Sequence, residues 1–398
     1  MKNAVIIDSV RTAVGKLGGS LGNVPANYLA AHVMEALIER TGIDKEIVEE
    51  VILGQAKQSA DESNLARLAL LRAGIPASVP GYTVHRQCGS GVQAVNSAAQ
   101  QIGMGLSDVI IAGGAESMST APYYVSGVRF GVKAGNTVLK DPNTESQPGS
   151  QPFEEFGNLN MGTTAENVAE KYGITREQQD EFALLSQERT AAAIREGRFE
   201  EQIIPYAVQE RKQTIDFKMD EHPRETSLEK LAKLKPVFKE GGTVTAGNAS
   251  GRNDGAAALL VMSEEAAEQH GLTPKARIVA QASSGCAPDL MGMGPVGATQ
   301  KALRQAGLTV ADLDVIELNE AFAAQAVACI NELGLDIEKV NPNGGAIALG
   351  HPIGATGAIL LTKVLHELER TGGRYGLVTL CIAGGMGIAT IVENLKAQ

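Results

Sequence analysis

The chain has 398 residues, of which 43% are hydrophobic, 20% are charged and 45 are glycine, as in a globular protein with several domains and many tight turns. It contains no Trp, aromatic residues amount to 4%, and the formal net charge is −11. Neither a base-stacking surface nor a phosphate-tracking surface for nucleic acid is therefore expected.

Short β-rich runs alternate with amphipathic helices along the first 120 residues. "AVIIDSV" near the start and "DVIIAGGAESM" further on predict strands that end in small residues. "PANYLAAHVMEALIERTG" and "SGVQAVNSAAQQIGMG" predict helices that end at Gly. This alternation predicts parallel sheets covered by helices.

No stretch of the chain has the pattern of a targeting or membrane segment. The first apolar stretch is short and is followed by Asp8 and Arg11, and no later apolar run approaches about 18 residues. Four cysteines without a CxxC pair favour a reduced, cytoplasmic protein without a zinc site.

Residues 121–245 differ in composition from the segments on either side. They contain the polar, Pro- and Gly-rich stretch "LKDPNTESQPGSQPFEEFG" and then the charged helical stretch "TREQQDEFALLSQERTAAAIREGRF". Large insertions of this kind often build binding loops on one face of a core. We expect an inserted loop domain here.

Three pairs of segments indicate that the chain is built from two related halves. Residues 41–55 resemble 306–320, and the opening "KNAVIIDSV" resembles residues 275–283. "VHRQCGSG" resembles "VTLCIAGGMG", since each passes from a β-rich run through a cysteine into glycines. In this interpretation Cys88 and Cys381 occupy equivalent turns and face each other across a pseudo-twofold axis.

Cys88 lies between a β-rich run and a predicted helix. A thiol at a helix N-terminus is close to unpaired backbone N–H groups and to the positive end of the helix dipole, which can lower its pKa to about 3.5–7.5. The adjacent glycines Gly89 and Gly91 leave room for a ligand. The alternative is a small buried cysteine with a structural role.

Cys381 ends the β-run "YGLVTLC", so it is either a core residue or a second thiol that moves a proton near Cys88. His351 lies between two Gly-rich turns, and Pro352 restrains its backbone. This setting favours a histidine that polarises a carbonyl or takes a proton, whereas a lone histidine is usually a surface or core residue.

Other candidate motifs have a simpler explanation. Asn319 in "VIELNEAFAAQ" stands where a helix N-cap is expected, and Cys286 and Cys329 have settings typical of structural cysteines. "GMGPVG" (292–297) matches GxGxxG, but no clear strand leads into it, and "GGAIALGHPIG" lacks the Lys-Ser/Thr of a P-loop. "NAS" at Asn248 is a glycosylation triplet without a secretory context.

Five motifs, taken together and in order, resemble those of the thiolase family: "CGSG", "TAGNASGRNDGAAAL", "NEAFAAQ", "GGAIALGHPIGATG" and "CIAGGMG". The resemblance covers essentially the whole chain. It implies an α/β fold of two similar βαβαβαββ halves, each with a five-stranded mixed sheet stacked with helices, and an inserted loop domain. We expect residues 1–120 and 246–270 to form the N-terminal half, 121–245 the CoA-binding loop domain, and 271–398 the C-terminal half.

The resemblance also implies an activity. Thiolases condense two acetyl-CoA molecules to acetoacetyl-CoA and CoA, and they run the reverse thiolysis, through an acetyl-cysteine. Acyl-CoA and CoA are then the expected partners, with no further cofactor, no metal, no nucleic acid and no membrane. The family implies a homo-oligomer, usually a tetramer.

Each motif residue acquires an expected role from the resemblance. Cys88 matches the acylated nucleophile, Cys381 the cysteine acid/base, and His351 and Asn319 the pair that stabilises the thioester enolate, Asn319 through a water. The backbone N–H groups of Cys88 and Ala383 match the oxyanion hole of the acyl-enzyme. The expected substrate contacts are Met161 and Met291 at the acyl group, Arg224 and Ser250 at coenzyme A, and Phe238 and Ala246 along the pantetheine channel.

Three positions depart from the family pattern. His85 replaces the usual Asn, Ala383 replaces the first Gly of "CxGGGxG", and Asn160 replaces the His that often precedes Met161 in short-chain members. Asn160 favours the alternative of a broader-chain 3-ketoacyl-CoA thiolase of fatty acid β-oxidation. A non-catalytic acyl-CoA binder and a nicotinamide dehydrogenase, the latter resting on "GMGPVG" alone, are the alternatives from other classes.

Overall fold

The structure, a computed structural model, describes residues 2–210 and 213–397. Its strands are β1 (Ala4–Arg11), β2 (Gly15–Lys16), β3 (Glu50–Gly54), β4 (Gly81–Val84), β5 (Val109–Ser117), β6 (Tyr206–Glu210), β7 (Gln213–Phe217), β8 (Asn253–Ser263), β9 (Ala276–Gly285), β10 (Val315–Leu318), β11 (Tyr375–Ile382) and β12 (Met386–Asn394). Its α-helices are α1 (Ala26–Thr41), α2 (Leu65–Arg72), α3 (Ser90–Met104), α4 (Pro142–Glu145), α5 (Phe153–Phe156), α6 (Met161–Tyr172), α7 (Arg176–Arg195), α8 (Leu228–Ala232), α9 (Glu264–Gln269), α10 (Gly294–Ala306), α11 (Ala323–Leu333), α12 (Ala346–Leu349) and α13 (Ile353–Thr371). The strands and helices predicted for the first 120 residues are β1, β5, α1 and α3, and both helices end at a glycine as expected.

Two mixed sheets have the same strand order. In the first, β4, β3 and β5 are parallel, and β8 runs antiparallel to both β5 and β1. In the second, β10 and β11 are parallel, and β12 runs antiparallel to both β11 and β9. An isolated parallel bridge between Ile316 and Val340 takes the fifth position of the second sheet. The predicted pair of similar α/β halves is confirmed.

The two sheets meet edge to edge at the first strand of each half. β1 and β9 pair antiparallel, with Val5 opposite Arg277 and Ile6 opposite Ala276. The sequence similarity between "KNAVIIDSV" and residues 275–283 therefore corresponds to equivalent strands. This pairing joins the halves into one continuous sheet.

Helices and sheets alternate in five layers. The apolar faces of α3 and α13 pack against one face of both sheets. α1 and α2 cover the other face of the first sheet, and α10 and α11 cover the other face of the second. β1, β5 and β8 are buried at every residue, which explains why their sequences are nearly continuous runs of apolar and small residues.

Two glycines allow the first turns of the central helices to touch. A Cβ atom on Gly91 of α3 would lie 2.9 Å from the Gly354 carbonyl oxygen and 2.9 Å from the Ala358 nitrogen. A Cβ atom on Gly357 of α13 would lie 2.3 Å from the Val92 nitrogen. Because neither position tolerates a side chain without backbone movement, the glycines set how closely the N-terminal ends of α3 and α13 approach.

The insertion between β5 and β8 contacts both halves. Its helices α6 and α7 pack against α11, and the β6–β7 hairpin contributes Val208 and Phe217 to the core of the first half. Asp220, which follows the hairpin, forms a buried ion pair with Arg11 at 2.7 Å and accepts a hydrogen bond from the Val14 N–H. The domain boundaries given above stay a prediction. Within residues 2–210 and 213–397, no helix is both long and apolar enough to cross a bilayer.

Candidate active site

Cys88 lies in a sharp turn between β4 and α3. Gln87 has a φ of +45°, a left-handed conformation that is unusual for a residue with a side chain. Ser90 stabilises the turn, since its Oγ accepts a hydrogen bond from the Arg86 N–H at 2.9 Å and donates one to the Gln87 carbonyl at 2.6 Å. The turn places Cys88 two residues before α3, and such strained turns cluster at functional sites.

Burial and nearby positive charge shift the pKa of the Cys88 thiol in opposite directions. Burial is the larger effect and raises the pKa of the thiol above its ordinary value. The backbone N–H groups of Ala383 and Cys88 and the positive charge of Lys57 act in the opposite direction. The expectation that the helix N-terminus lowers the net pKa of Cys88 is therefore wrong, because desolvation of the thiolate costs more than these groups supply.

His351 lies two residues before α13, in the same position relative to its helix as Cys88 to α3. Its backbone N–H donates to Asn253 Oδ1 at 2.9 Å, and its ring atom Nδ1 lies 2.6 Å from Thr356 Oγ1. Burial, with a smaller contribution from Lys57, lowers the pKa of His351 to about 4. The imidazole is therefore neutral at pH 7.

Asn319 follows β10, and its side chain lies next to the imidazole of His351 without lining the cavity that His351 lines. Its Nδ2 is 3.5 Å from His351 Nε2, and its buried Oδ1 has no hydrogen-bond partner in the described part of the chain. The interpretation of Asn319 as a helix N-cap is wrong, because α11 begins only at Ala323 and Phe322 stands at the cap. The amide is directed toward the imidazole instead.

Cys381 is a buried residue near the end of β11, the central strand of the second sheet. Burial, followed by the charge of Cys88, raises the pKa of this thiol well above its ordinary value. Cys381 packs with the apolar side chains of Met291, Ala321, Met161 and Phe322. A thiol in this setting rests in its protonated form.

The predicted equivalence of Cys88 and Cys381 is wrong. Cys88 lies on the connection from β4 to α3, whereas Cys381 lies within β11, whose counterpart in the first half is β5. The residue equivalent to Cys88 is His351, since each lies two residues before one of the two central helices. The similarity of the two Cys-Gly segments arises from glycine-rich turns at different positions in the topology.

One cavity brings most of the predicted site residues together. The predicted residues along its wall are Cys88, Met161, Phe238, Ser250, Met291, His351, Cys381 and Ala383. The positive ends of α3 and α13 lie at this cavity, because the residues that precede the two helices, Cys88 and His351, both line it. The arrangement places two thiols, a neutral imidazole and converging N–H groups around one space, which suits acyl transfer through a thioester.

Three predicted residues do not line this cavity. Asn319 lies behind His351, and Arg224 lines a separate surface cavity with Gln187 and Lys230. Arg224 donates to the Ala246 carbonyl at 3.0 Å, so these two predicted substrate contacts touch each other. Of the two, only Arg224 lines the separate surface cavity.

The three departures from the family pattern have different surroundings. His85 is exposed and lies outside the cavity wall, and nothing in the structure explains its identity. Ala383 lines the cavity and keeps the N–H that faces Cys88. Asn160 caps α6, with its side chain accepting the Thr163 N–H at 2.9 Å, and it does not line the cavity.

Sequence reasoning missed the buried carboxylate of Glu116 at the end of β5. It accepts backbone hydrogen bonds from Ala56 at 2.9 Å, from Lys57 at 3.0 Å and from Gly354 at 2.8 Å. These bonds tie the loop after β3 to the start of α13, next to His351. An acidic residue inside the small, apolar run "AGGAES" was the signal that could have indicated it.

Cys286 and Cys329 lie outside the cavity, as predicted for structural cysteines. Burial raises their thiol pKa values to about 11 and about 12. The Cys329 Sγ lies 3.2 Å from the Gly292 carbonyl oxygen. In the described residues, no group of three His, Cys, Asp or Glu side chains is arranged to hold a metal ion.

Comparison with known proteins identifies the family. The family models for the thiolase N-terminal domain and the thiolase C-terminal domain match residues 4–265 and 272–394. The chain belongs to the thiolase family. This thiolase is 52% identical to an acetyl-CoA acetyltransferase of Chromobacterium violaceum, over 98% of this chain and 99% of that protein.

Solved thiolase structures have the same fold as this thiolase. An acetyl-CoA acetyltransferase of Bacillus anthracis superposes with a TM-score of 0.96 at 47% identity, with 99% of both chains covered. The human mitochondrial 3-ketoacyl-CoA thiolase superposes with a TM-score of 0.95 at 44% identity, again with 99% of both chains covered. The predicted thiolase fold is confirmed.

Proposed function

We propose that this thiolase is an acetyl-CoA C-acetyltransferase, which condenses two acetyl-CoA molecules to acetoacetyl-CoA and CoA and catalyses the reverse thiolysis. The observation that carries the proposal is the shared cavity, in which Cys88, Cys381, His351 and the Ala383 N–H surround one space. The similarity to acetyl-CoA acetyltransferases along the full chain supports the same activity.

In the first half-reaction Cys88 becomes acylated. Cys88 reacts as its thiolate, which is the minor form of a thiol whose pKa burial raises. The thiolate attacks the acetyl-CoA carbonyl, the bond from the carbonyl carbon to the CoA sulfur breaks, and Cys381 gives its proton to the departing CoA thiolate. The N–H groups of Cys88 and Ala383 donate to the carbonyl oxygen while it carries negative charge. The products are acetyl-Cys88, CoA and a Cys381 thiolate, so the single negative charge moves from one sulfur to the other.

Acylation itself prepares Cys381 for the second half-reaction. The charge of Cys88 is one of the causes that raise the Cys381 pKa, and an acylated Cys88 carries no charge. The Cys381 thiolate then removes a proton from the methyl carbon of a second acetyl-CoA. The carbanion attacks acetyl-Cys88, a carbon–carbon bond forms, and the Cys88 thiolate leaves.

His351 and Asn319 act on the enolate oxygen of the second acetyl-CoA. When the Thr356 hydroxyl donates to Nδ1 rather than to the Pro352 carbonyl, the ring proton of the neutral imidazole is on Nε2. That proton is then available to the enolate oxygen. Loss of one such fixed donor typically costs about 3–4 kcal/mol in comparable sites.

The decisive experiment measures thiolysis of acetoacetyl-CoA and covalent acetylation of the purified protein. We expect intact-mass analysis to find one acetyl group after incubation with acetyl-CoA, and Cys88→Ala to lose it and to slow thiolysis by roughly 10³-fold or more. Cys286→Ala is the matched control and should retain both. Turnover by Cys88→Ala near the wild-type rate would refute the mechanism.

The broader-chain 3-ketoacyl-CoA thiolase is the second candidate. The sequence reason for it was Asn160, whose side chain is occupied as the cap of α6 and does not line the cavity. The similarity of the fold to that of the human mitochondrial 3-ketoacyl-CoA thiolase is the observation that favours this candidate. The ratio of kcat/KM for 3-ketooctanoyl-CoA to that for acetoacetyl-CoA decides, and we expect a ratio below one.

We further propose that CoA and acyl-CoA are the partners, without another cofactor, and that the enzyme is a homo-oligomer. The two cavities together support binding of a long thioester, with the reacting end at Cys88 and the Arg224 surface further out. Light scattering of the purified protein measures the subunit number, for which the family resemblance predicts a tetramer.

A further inference from the structure

A small internal cavity, distinct from the catalytic cavity, is lined by Asn319. Every residue along its wall is buried, and the polar side chains among them are Arg11, Asn319, Thr356 and Lys363. None of these four residues lines the catalytic cavity. The internal cavity has a volume of about 20 Å³, which accommodates one water molecule.

The side-chain amide of Asn319 has a neighbour at only one of its two ends. Its Nδ2 lies 3.5 Å from His351 Nε2, whereas its buried Oδ1 has no hydrogen-bond partner in the described part of the chain. Because His351 lines the catalytic cavity and Asn319 lines the internal one, the NH₂ end is toward the first and the oxygen end toward the second. A buried amide oxygen without a donor is costly, so a donor is expected in the internal cavity.

Lys363 of α13 supplies such a donor. Its side chain is 1% exposed, and its Nζ lies 2.6 Å from Glu317 Oε2 and donates to the Gly344 carbonyl at 2.7 Å. Burial raises the pKa of Glu317 to about 7, so the ionised and the protonated carboxyl group both matter near neutral pH. In either state Lys363 has one N–H left for the cavity, since an ammonium group has three and a neutral amine that accepts the Glu317 proton has two.

Arg11 is a second side chain at this cavity that can only donate. Its guanidinium group donates twice to Asp220, at 2.7 and 2.9 Å, once to a glutamine side chain and once to a backbone carbonyl. These four contacts leave one of its five N–H groups. The Thr356 hydroxyl supplies no donor, because its proton goes to His351 Nδ1 or to the Pro352 carbonyl. The two basic side chains therefore offer donors to the internal cavity and no acceptor.

We propose that Lys363 is a positioning residue for Asn319 and acts through one water molecule bound in the internal cavity. The water accepts a hydrogen bond from Lys363 and donates one to Asn319 Oδ1, with which Lys363 makes no direct hydrogen bond. The bridge holds the amide with its NH₂ end toward His351. The inference rests on the proposed function, in which Asn319 and His351 stabilise the enolate oxygen.

The orientation of this amide matters because its two ends have opposite hydrogen-bonding properties. The NH₂ end donates to an oxygen that carries negative charge, whereas the carbonyl end repels it. The two ends have nearly the same shape, so packing alone selects poorly between them. A water that accepts from Lys363 and Arg11 has both lone pairs occupied and only donors left for Asn319. A flipped amide would therefore place a donor against a donor.

A crystal structure of the wild-type enzyme at about 1 Å resolution tests the geometry, because the nitrogen and oxygen of an amide are distinguishable there. We expect one water within about 3.2 Å of both Lys363 Nζ and Asn319 Oδ1. A dry internal cavity, or an Asn319 amide with its oxygen toward His351, would overturn the inference. This measurement depends on no variant.

The kinetics of Lys363→Met test the role in the reaction. We expect condensation of acetyl-CoA to slow about tenfold with little change in KM, because the enolate loses a fixed donor. Acetylation of Cys88 does not involve Asn319 and should stay within about twofold of the wild-type rate. In an Asn319→Ala background, Lys363→Met should change condensation less than about twofold, since the group that Lys363 positions is absent. Equal losses in both backgrounds would indicate a general structural role and contradict the inference.

A double variant covers the case in which Lys363→Met does not fold because Glu317 is left buried without its partner. Lys363→Met with Glu317→Gln removes both charges of the pair and is compared with Glu317→Gln alone, so that the difference reports the donor at the cavity. We expect the same decrease of about tenfold in condensation, and a change below about twofold would refute the role of Lys363.

Lys339→Met is the matched control. This lysine donates to the Leu313 carbonyl at 2.7 Å and lines neither cavity, so its replacement should leave condensation unchanged. The proposed function fails separately if the wild-type enzyme neither acetylates Cys88 nor cleaves acetoacetyl-CoA. The crystal structure then still decides whether the water bridge between Lys363 and Asn319 exists.

Discussion

The Nδ1 atom of His351 lies 2.6 Å from the hydroxyl oxygen of Thr356, one turn into α13. The same hydroxyl lies 2.9 Å from the Pro352 carbonyl, so its proton has two acceptors. The geometry makes Thr356 a positioning residue, because its hydrogen bond sets both the ring orientation and the nitrogen that carries the proton.

Replacement of Thr356 tests this role. We expect Thr356→Val to lower kcat for thiolysis by about tenfold, which corresponds to about 1.4 kcal/mol, with little change in KM. Thr356→Ser keeps the hydroxyl and should restore most of kcat. Equal losses in Val and Ser would show that packing of the methyl group, and not the hydrogen bond, matters at this position.

Cys381 is expected to be indispensable only after Cys88 is acylated, when its thiolate removes a proton from the second acetyl-CoA. In Cys381→Ala, acetyl-Cys88 should still form, more slowly because the departing CoA thiolate must take its proton from water, whereas condensation should slow by about 10²–10⁴-fold. Intact-mass analysis and product formation measure the two steps separately. Cys329→Ala, which removes a buried thiol outside the cavity, is the control and should retain turnover. Absence of acetyl-Cys88 in Cys381→Ala would contradict the assigned order of steps.

Close contact of α3 and α13 should be essential for the site. Gly91→Ala places a methyl group against the backbone of α13, and we expect it to cost about 1–3 kcal/mol in the free energy of unfolding and to reduce kcat. Gly103→Ala in the same helix would meet only the Lys2 carbonyl oxygen, at 3.8 Å, and should stabilise the protein by up to about 1 kcal/mol. Urea unfolding and thiolysis rates measure both effects, and a harmless Gly91→Ala would refute the close approach.

His366 of α13 gives a pH-dependent contribution to stability. Burial lowers its pKa to about 4, so the unfolded chain binds more protons than the folded one between about pH 4 and 6.5. The contribution is full above pH 6.5 and is lost as the pH falls through this window. From pH 7.5 to pH 5, the free energy of unfolding of His366→Gln should therefore gain about 2 kcal/mol relative to wild type.

Measurement at the two pH values under otherwise equal conditions isolates this residue. Asp254, whose pKa burial raises to about 6, titrates in the opposite sense but is common to both proteins. Its effect cancels in the difference between variant and wild type. A difference that does not change with pH would indicate that His366 is protonated alike in the folded and unfolded chains.

The sequence by itself determined the elements and the chemistry of the central groups. Continuous apolar runs predicted β1 and β5, and helical periodicity ending at glycine predicted α1 and α3, because these patterns follow from local geometry. Five motifs in order indicated the thiolase family. Cys88, His351 and Cys381 were identified by their Gly-rich surroundings and by that resemblance, and they line one cavity.

Only the tertiary structure decided which residues correspond across the two halves and how each group is charged. Sequence similarity paired Cys88 with Cys381, whereas the topology pairs Cys88 with His351, because equivalence depends on strand order and not on neighbouring glycines. The local argument predicted a lowered pKa for Cys88, whereas burial raises it, since desolvation depends on the atoms that all other segments bring to the sulfur. Lys363 and Glu116 were missed for the same reason: their roles arise from contacts with segments up to 238 residues away in the chain.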